Sequence, residues 1–200
     1  YKKINLNIII MGSCLMSSGK SRTCETRKKI GGLKGRVWAL NLTDATGAKL
    51  VYTETVPNVI DAITVQSGLA AYAIDSGKFS HDFTPSVKKP GMNKFYGQNF
   101  NLRAITDDAT DLTWSDNMIM SDSVVFIIED MNKRFMILGQ NNGLECQEGD
   151  LGTIGQEAES DVTEVYNFTG EEIDNKYKFV DVGGYEATLT YLIGLETPAA

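Results

Sequence analysis

The chain has 200 residues, of which 42% are hydrophobic and 22% are charged, and its formal net charge is −7. This length suits one domain, or one domain with a long arm, and the composition is that of a globular rather than a disordered chain. The net acidity argues against nucleic-acid binding by the body of the chain. The sequence has no apolar run of about 18 or more residues, so it predicts no membrane-spanning helix. The three cysteines contain no C-x-x-C pair and are odd in number. They predict neither a zinc site nor a disulfide framework, and a reducing compartment during folding is the simplest inference.

The charges are sorted along the chain. Residues 1–36 carry nine Lys or Arg residues against one acid, a net charge of +8, whereas residues 37–200 carry ten against 25, a net charge of −15. One interpretation is a basic arm over residues 1–34 that docks on the acidic body of the next copy, because opposite potentials steer association and fix its register. The alternative is a solvated leader in front of an ordinary acidic domain. The residues expected to form the self-assembly arm are Arg27, Lys28, Lys29, Ile30, Leu33, Lys34 and Arg36.

The beginning of the chain also resembles a short signal peptide. Lys2 and Lys3 precede an apolar stretch that ends in Ile8–Met11. Residues 11–14, Met-Gly-Ser-Cys, are a poor version of a bacterial lipoprotein cleavage box. An exported surface lipoprotein with a β-sandwich domain is therefore an alternative function.

A nucleotide-binding P-loop is a third interpretation. The apolar stretch leads into Gly19-Lys20-Ser21, and a later apolar strand ends in Glu129-Asp130, which imitates the acidic strand that holds magnesium in such enzymes. However, the motif needs a glycine five residues before Gly19, where this chain has Cys14. The spacing therefore argues against an NTPase.

From Gly35 onward the dominant hydrophobic period is two, which predicts short β-strands rich in β-branched and aromatic residues. Turn signals such as Pro57-Asn58 and Asp75-Ser76-Gly77 separate them. The predicted strands are Val37–Leu42, Leu50–Val56, Val59–Val65, Leu69–Ile74, Phe79–Phe83, Phe95–Ile105, Ser123–Glu129, Arg134–Gly139, Asp161–Thr169, Tyr177–Val182 and Ala187–Gly194.

Two of these strands carry further information. Phe95–Ile105 alternates, with Gln98, Phe100 and Leu102 on one face. Val124–Ile128 is a continuous apolar run, which is typical of a strand buried on both faces. The chain then turns and returns, so we predict a β-hairpin over residues 123–139.

One segment departs from the period of two. Residues 107–121 place Leu112 and Ile119 on one arc of a helix, with acids in the first turn, where the helix dipole favours them. We predict a single flanking helix that packs on the sheet through Leu112 and Ile119. The expected fold is mainly β: an antiparallel β-sandwich or barrel over residues 35–200, with this helix and an extended basic N-terminal arm over residues 1–34.

Candidate catalytic and metal-binding residues are few. His81 is the only histidine, so any Ser/His/Asp or Cys/His nucleophile would need it, and its place between Phe79 and Phe83 favours an aromatic sheet face instead. A metal site with two or three histidines is impossible within one chain. Neighbouring acids such as Glu171-Glu172 point to opposite faces of a strand. The sequence therefore predicts no enzyme, no catalytic residue, no cofactor and no metal ion.

Three stretches carry a resemblance to a known family. They are Cys24–Gly35, with its basic residues and Gly-Gly-Leu-Lys; Phe95–Arg103, with Tyr-Gly-Gln; and Val124–Glu145, with Glu-Asp, Phe-Met-Ile-Leu-Gly and Gly-Leu-Glu. Together they resemble the tail tube and neck-ring structural proteins of tailed bacteriophages, particularly of phages that infect Bacteroidetes. The resemblance covers most of residues 24–172 in order. Arg134 departs from it, since a Gly-Lys turn would be usual there.

The resemblance implies a β-sandwich with one flanking helix that assembles into homomeric rings and has no catalytic residues. The partners it implies are further copies of the chain and other phage tail or neck proteins, with no membrane involved. The protein would be located in the virion after assembly in the host cytoplasm. The acid surplus of the body also fits a conduit through which DNA passes without specific binding, because a negative wall repels phosphates.

Overall fold

The computed structural model describes residues 31–77, 80–89, 94–105, 109–150 and 163–198. In chain order, two helices and twelve strands lie in these ranges: β1 Leu33–Asn41, β2 Val51–Thr53, β3 Val59–Ile60, β4 Ala62–Thr64, β5 Tyr72–Asp75, β6 Asp82–Lys88, β7 Phe95–Ile105, α1 Ala109–Ile119, β8 Val124–Asp130, β9 Phe135–Leu138, β10 Glu145–Asp150, β11 Thr163–Glu172, β12 Lys178–Val180 and α2 Tyr185–Gly194. The protein is mainly β, as predicted.

The strands form a sandwich. A six-stranded sheet has the order β3-β12-β9-β8-β1-β5, a four-stranded sheet has the order β10-β11-β7-β6, and β2 and β4 form a small sheet of their own. Apart from the parallel pair β12 and β3, all pairs are antiparallel. The hairpin predicted over residues 123–139 is present as β8 and β9.

Strand β8 lies at the centre of the fold, and all seven of its residues are buried. Phe126 and Ile128 face the four-stranded sheet, where the Phe126 ring lies 5.0 Å from Phe100 and 4.8 Å from Phe168 between ring centroids. Val125 and Ile127 face the other way, into a second apolar cluster that α2 covers. The continuous apolar run of this strand is therefore explained by burial on both faces, as predicted.

Helix α1 confirms the predicted flanking helix, but the predicted packing face is wrong. Leu112 is 59% exposed and Ile119 is 37% exposed, whereas Ser115 and Met118 are buried. A polar contact explains why Ser115 faces inward. The end of the sheet under α1 presents the hydroxyl group of Tyr166, and Ser115 Oγ lies 2.6 Å from it. The helix therefore turns its serine inward and leaves two of its large aliphatic residues facing outward.

Helix α2 replaces the strand predicted over Ala187–Gly194, and it makes the number of described helices two rather than one. Gly183 and Gly184 adopt positive φ angles of 125° and 99°, which turn the chain away from β12. The hydroxyl of Thr188 then donates to the carbonyl of Gly184 at 2.8 Å, so a residue with strand propensity is accommodated in a helix. Leu192 is fully buried against the six-stranded sheet.

Some boundaries also differ from the prediction. Strand β1 begins at Leu33, so residues 33 and 34 belong to the sheet rather than to an arm. Strand β6 extends to Lys88, well beyond the predicted end at Phe83. Strand β10, Glu145–Asp150, was not predicted, because its run of polar and small residues has no apolar alternation.

Candidate assembly surface

The residues predicted to form the self-assembly arm fall into two groups. Arg27, Lys28, Lys29 and Ile30 lie outside the described residues. Leu33, Lys34 and Arg36 lie on β1. Leu33 is 8% exposed and packs in the core between the two large sheets, so it stabilises its own subunit rather than a contact with the next.

Lys34 is engaged within its own subunit. Its Nζ lies 2.5 Å from Oε1 of Glu129, which is buried on β8, and donates to the hydroxyl of Tyr185 on α2 at 3.0 Å. Burial lowers the pKa of Lys34, but the bonds to Glu129 and Tyr185 together outweigh it and leave the pKa above its ordinary value. Lys34 therefore stays charged and links β1 to β8 and α2.

Arg36 is also engaged within the chain. Its guanidinium donates to Oε1 of Glu196 at 2.7 Å, and the indole of Trp38 donates to the same oxygen at 2.9 Å. Glu196 follows α2, so this cluster holds the C-terminal part of the chain against β1. A docking role for the predicted arm residues therefore rests on Arg27, Lys28, Lys29 and Ile30.

His81 joins the two large sheets. Its Nδ1 accepts from the backbone N–H of Arg103 on β7 at 3.1 Å, so Nε2 carries the proton and donates to the carbonyl of Gly35 on β1 at 3.0 Å. Burial, together with the nearby charge of Arg103, lowers the pKa of His81 and keeps the ring neutral. Both ring nitrogens are used by backbone groups, and this supports a structural role beside Phe100, whose ring lies 6.1 Å away.

The acid pairs singled out in the sequence contact other residues of the same subunit. Asp130, after Glu129 on β8, accepts from the Arg134 side chain through Nε at 2.7 Å. Although burial raises the pKa of Asp130, the bonds from Arg134 lower it below its ordinary value. Glu171 and Glu172 point to opposite faces as expected, with Glu172 buried. Among the described residues, no group of three or more His, Cys, Asp or Glu side chains is placed to hold a metal ion.

A cavity of about 280 Å³ lies beside the start of α2, lined in part by Lys133, Arg134, Phe179, Asp181 and Tyr185. Its charged groups are largely used within the chain. Arg134 is held by its ion pair on β8, and Asp181 Oδ1 accepts from the backbone N–H of Gly184 at 2.6 Å. We therefore assign this cavity a structural role.

The sheet edges differ in how they limit further pairing. Strand β6 contains Pro85, which lacks an N–H donor, and β10 has a register shift between Cys146 and Glu148. Strand β3 has only two residues. Proline, bulges and very short strands are the usual protections of an edge. Strand β5, Tyr72–Asp75, pairs with β1 in continuous register and has neither a proline nor a bulge, so it is the most open of these edges.

A groove of about 480 Å³ lies between β5 and the C-terminal half of α1; we call it the α1–β5 groove. Its walls combine apolar and amide groups. Tyr72 is 49% exposed and Met120 is 79% exposed, although both are large and hydrophobic. The main lining residues are Asn41, Tyr72, Trp114, Asn117, Met118 and Met120.

The described residues that line this groove include no acidic side chain. Asp116 is exposed, but the helical period places it on the side of α1 away from the lining residues Trp114 and Met118. Sequence reasoning missed this surface because it turned Leu112 and Ile119 inward. Tyr72 and Met120, which both line the groove, are distant in sequence, so no local pattern indicates it.

No protein-family model, no curated protein and no solved structure matches this chain. Within the described ranges, the helices are too short or too polar to cross a membrane. The charge distribution, the sheet edges and the grooves of the chain itself are the features that bear on its function.

Proposed function

We propose that this protein is a virion structural protein of the tail or neck of a tailed bacteriophage, which assembles into homomeric rings that form a conduit for DNA. The observation that carries the proposal is the sorted charge: a net +8 over residues 1–36 against −15 over residues 37–200. The resemblance to tail tube and neck-ring proteins gives the same assignment. Opposite charge on two regions of one chain favours contacts between unlike surfaces of two copies.

Such a contact is heterologous, since the arm of one copy meets the body of the next. Head-to-tail contacts close into rings when the rotation between copies allows it, and otherwise give open filaments. Exposed ion pairs are each worth only ~0–1 kcal/mol and are screened by salt. Apolar burial must therefore contribute, and Ile30 is the large aliphatic residue within the basic cluster of the arm.

The acid surplus of the body suits a conduit. A negative wall repels the phosphates of DNA, so a duplex moves along it without sticking. Exposed acids occur on both large sheets, including Asp75 on β5 and Glu148 on β10. One of these two acidic sheet surfaces would line the channel.

The test is the oligomeric state of the full chain at low and high salt, measured by native mass spectrometry and negative-stain microscopy. We expect rings or short stacked tubes at about 0.05 M salt and a shift toward smaller species at about 0.5 M, where the Debye length falls to roughly 4 Å. A monomer at every salt and protein concentration would overturn the proposal.

A charge reversal sharpens this test. Replacing Arg27, Lys28 and Lys29 by Glu should abolish the rings and leave the circular-dichroism spectrum unchanged, because these residues precede β1. The matched control makes the same change in charge on the body, at the exposed residues Lys49, Lys88 and Lys133. If both triple variants assemble equally well, the arm does not direct assembly.

The mass of the mature N-terminus distinguishes an exported lipoprotein from a virion protein. Expression in a bacterial host followed by intact-mass analysis should show an unmodified chain. A lipid on Cys14 would instead assign the protein to the cell surface and contradict a virion role.

A further inference from the structure

We propose that His81 is an acid-sensitive latch, which holds the start of β1 in the sandwich while its ring is neutral and releases it when the ring takes up a proton. Such a latch acts within one subunit, so it is independent of the proposed self-assembly. Three features of the molecule support it: the bonds of the ring, the irregular pairing of β1 beside it, and the charge that faces it.

The bonds of the ring are compatible with only one protonation state. Nδ1 of His81 accepts from the backbone N–H of Arg103 at 3.1 Å, and Nε2 lies 3.0 Å from the carbonyl oxygen of Gly35. An N–H group can only donate and a carbonyl oxygen can only accept, so the single proton of the ring must be on Nε2. A proton added to Nδ1 would point at the N–H of Arg103, and two donors repel each other. The imidazolium ion therefore cannot keep this position.

The start of β1 depends on this contact because its ladder with β8 is interrupted there. The register of that ladder shifts between Leu33 and Val37, and Gly35 lies within the shift. The Gly35 carbonyl instead accepts from His81 and from the backbone N–H of Ser76, the latter at 2.8 Å. A segment with few ladder bonds opens locally at a low free-energy cost. Loss of the bond from His81 should therefore loosen this part of β1 before the rest of the sandwich.

The space around the ring permits such a movement. A cavity of about 400 Å³ is lined by His81 together with Gly31, Gly32 and Leu33, where the described chain enters the sandwich. On its other side, Gly35 packs tightly on the connection between β5 and β6, since a Cβ atom there would lie 1.9 Å from the backbone oxygen of Ser76. The ring can therefore move into the cavity, whereas the backbone of Gly35 keeps its place only while it is held.

The charge that acts on the ring opposes its protonation. Burial, together with the positive charge of Arg103, lowers the pKa of His81 below its ordinary value of 6.5. Further charged or titratable groups line the cavity from β6, β8, β9 and the segment before β12, namely Asp82, Asp130, Arg134 and Tyr177. Asp130 is paired with Arg134, and Asp82 accepts from the side chain of Asn101 at 2.9 Å, so both carboxylates have other partners.

The charged groups of β1 itself face away from the ring. Lys34 and Arg36 flank Gly35, and successive side chains of a strand point to opposite faces of the sheet. Lys34 binds Glu129 and Arg36 binds Glu196 on that opposite face. The protonation of His81 is therefore decided by its burial and by Arg103.

Thermodynamic linkage gives the sign of the effect. The folded state binds a proton at His81 more weakly than the unfolded chain does, so acid favours the open form. Between pH 6.5 and the lowered pKa of the folded state, the equilibrium constant for opening should rise by up to about tenfold for each unit of pH. At higher pH the ring is neutral in both states, and the latch is closed.

Amide hydrogen exchange of the full-length chain tests the latch. Mass spectrometry with single-residue fragmentation would follow it between about pH 7 and about pH 5, where histidine titrates. The probes are the N–H of Arg103, which binds the ring, and the N–H of Ser76, which binds Gly35. The reference is the N–H of Ile127, which is fully buried on the central strand β8. After correction for intrinsic rates, we expect opening constants at both probes that rise with acid and exceed that at Ile127 by at least about tenfold near the acid end.

A variant without a titratable ring identifies the group responsible. In His81→Gln the side chain stays neutral and still has an N–H to donate to the Gly35 carbonyl, so the dependence on pH should disappear at both probes. The matched control Asp82→Asn removes the neighbouring titratable group and should keep the full dependence. The pH series of the parent protein is decisive by itself if His81→Gln lowers the stability of the fold.

The outcomes that would overturn the latch are distinct. Opening constants at Arg103 and Ser76 equal to that at Ile127 would show that this region opens only with the whole fold. Acid-dependent opening at Arg103 without opening at Ser76 would show that the ring leaves and β1 stays. A dependence on pH that persists in His81→Gln would belong to other groups. Each of these results would leave the proposed assembly standing, since the salt and charge-reversal experiments test it separately.

Discussion

The two helices of this protein have nearly equal lengths but use their apolar residues differently. Helix α2 buries Leu192 completely, and Tyr191 OH bridges the backbone N–H and C=O of Ile63 on β4 at 2.6 and 2.7 Å. Helix α1 leaves Leu112 59% exposed and is followed by Met120, which is 79% exposed. Helix α2 therefore completes the core of its own subunit, whereas α1 leaves apolar side chains exposed.

The anchors of the two helices explain this difference. Helix α1 rests on a polar cluster in which Ser115 Oγ lies 2.6 Å from the hydroxyl of Tyr166 and donates to Glu164 at 3.2 Å. The ring of Trp114 meets Tyr166 edge-on, 6.1 Å away between centroids. Helix α2 instead stacks Tyr185 on Phe135, with ring centroids 5.6 Å apart and an interplanar angle of 10°. A small polar anchor fixes the position of α1 without burying its large aliphatic residues.

The largest expected effect of a substitution in either helix is at Leu192. Leu192→Ala should lower the free energy of unfolding by ~2–5 kcal/mol, because it removes a fully buried side chain and leaves a cavity between α2 and the six-stranded sheet. Equilibrium denaturation in urea measures the change. The control is Ile193→Ala on the exposed side of the same helix, which should change the stability little. Equal effects at the two positions would mean that α2 is not docked through Leu192.

A smaller loss is expected at the anchor of α1. Ser115→Ala removes one buried hydroxyl, but Tyr166 OH still donates to Glu164, so no partner is left alone. We expect a loss of about 0.5–1.5 kcal/mol, the usual net worth of one hydrogen bond. Asn117→Ala on the exposed side of α1 is the control. If Ser115→Ala stabilises the protein, the polar cluster does not anchor the helix.

The turn before α2 should show a pH-dependent contribution. The backbone N–H groups of Gly184 and Gly183 lower the pKa of Asp181 below its ordinary value of 3.8, so the folded state favours the carboxylate. This stabilisation is present at pH values above the pKa of the unfolded chain and is lost as the pH falls through the lowered pKa of the folded state.

Asp181→Ala should therefore cost about 0.5–1 kcal/mol near neutral pH, a modest value because the site is exposed. The difference from the parent protein should shrink as the pH falls below 3.8, the ordinary pKa of the carboxyl group. Thermal melts of both proteins across this range measure it, with Asp174→Ala as an exposed control. A difference that is constant with pH would show that the carboxylate does not hold the turn.

Local patterns were sufficient to predict much of the sandwich. Strand β7 has the predicted bounds Phe95–Ile105, and its alternation placed Gln98, Phe100 and Leu102 on the buried face. Strand β8 was predicted from a run of five apolar residues. In both cases the side chains that decide the structure are neighbours in sequence, so period and composition carry the information.

The remaining features depend on contacts between distant parts of the chain. Thr188, Thr190 and Ile193 favour a strand locally, but the preceding glycine turn and the sheet that receives Leu192 impose a helix. The inward face of α1 depends on Tyr166, which belongs to β11. The α1–β5 groove forms between Tyr72 and α1, so one segment alone could not predict it.

The smallest expected effect is at Leu112. This substitution compares the two helices most directly, because a leucine is replaced by alanine in each of them. Leu112→Ala should change the free energy of unfolding by no more than about 0.5 kcal/mol, since this side chain is 59% exposed, whereas Leu192→Ala in α2 costs several times more. Met118→Ala, at a buried position of α1, is the internal control and should cost ~2 kcal/mol or more. Urea denaturation of the three variants at one low protein concentration separates folding from assembly. A loss at Leu112 as large as that at Leu192 would mean that α1 also completes the core through Leu112.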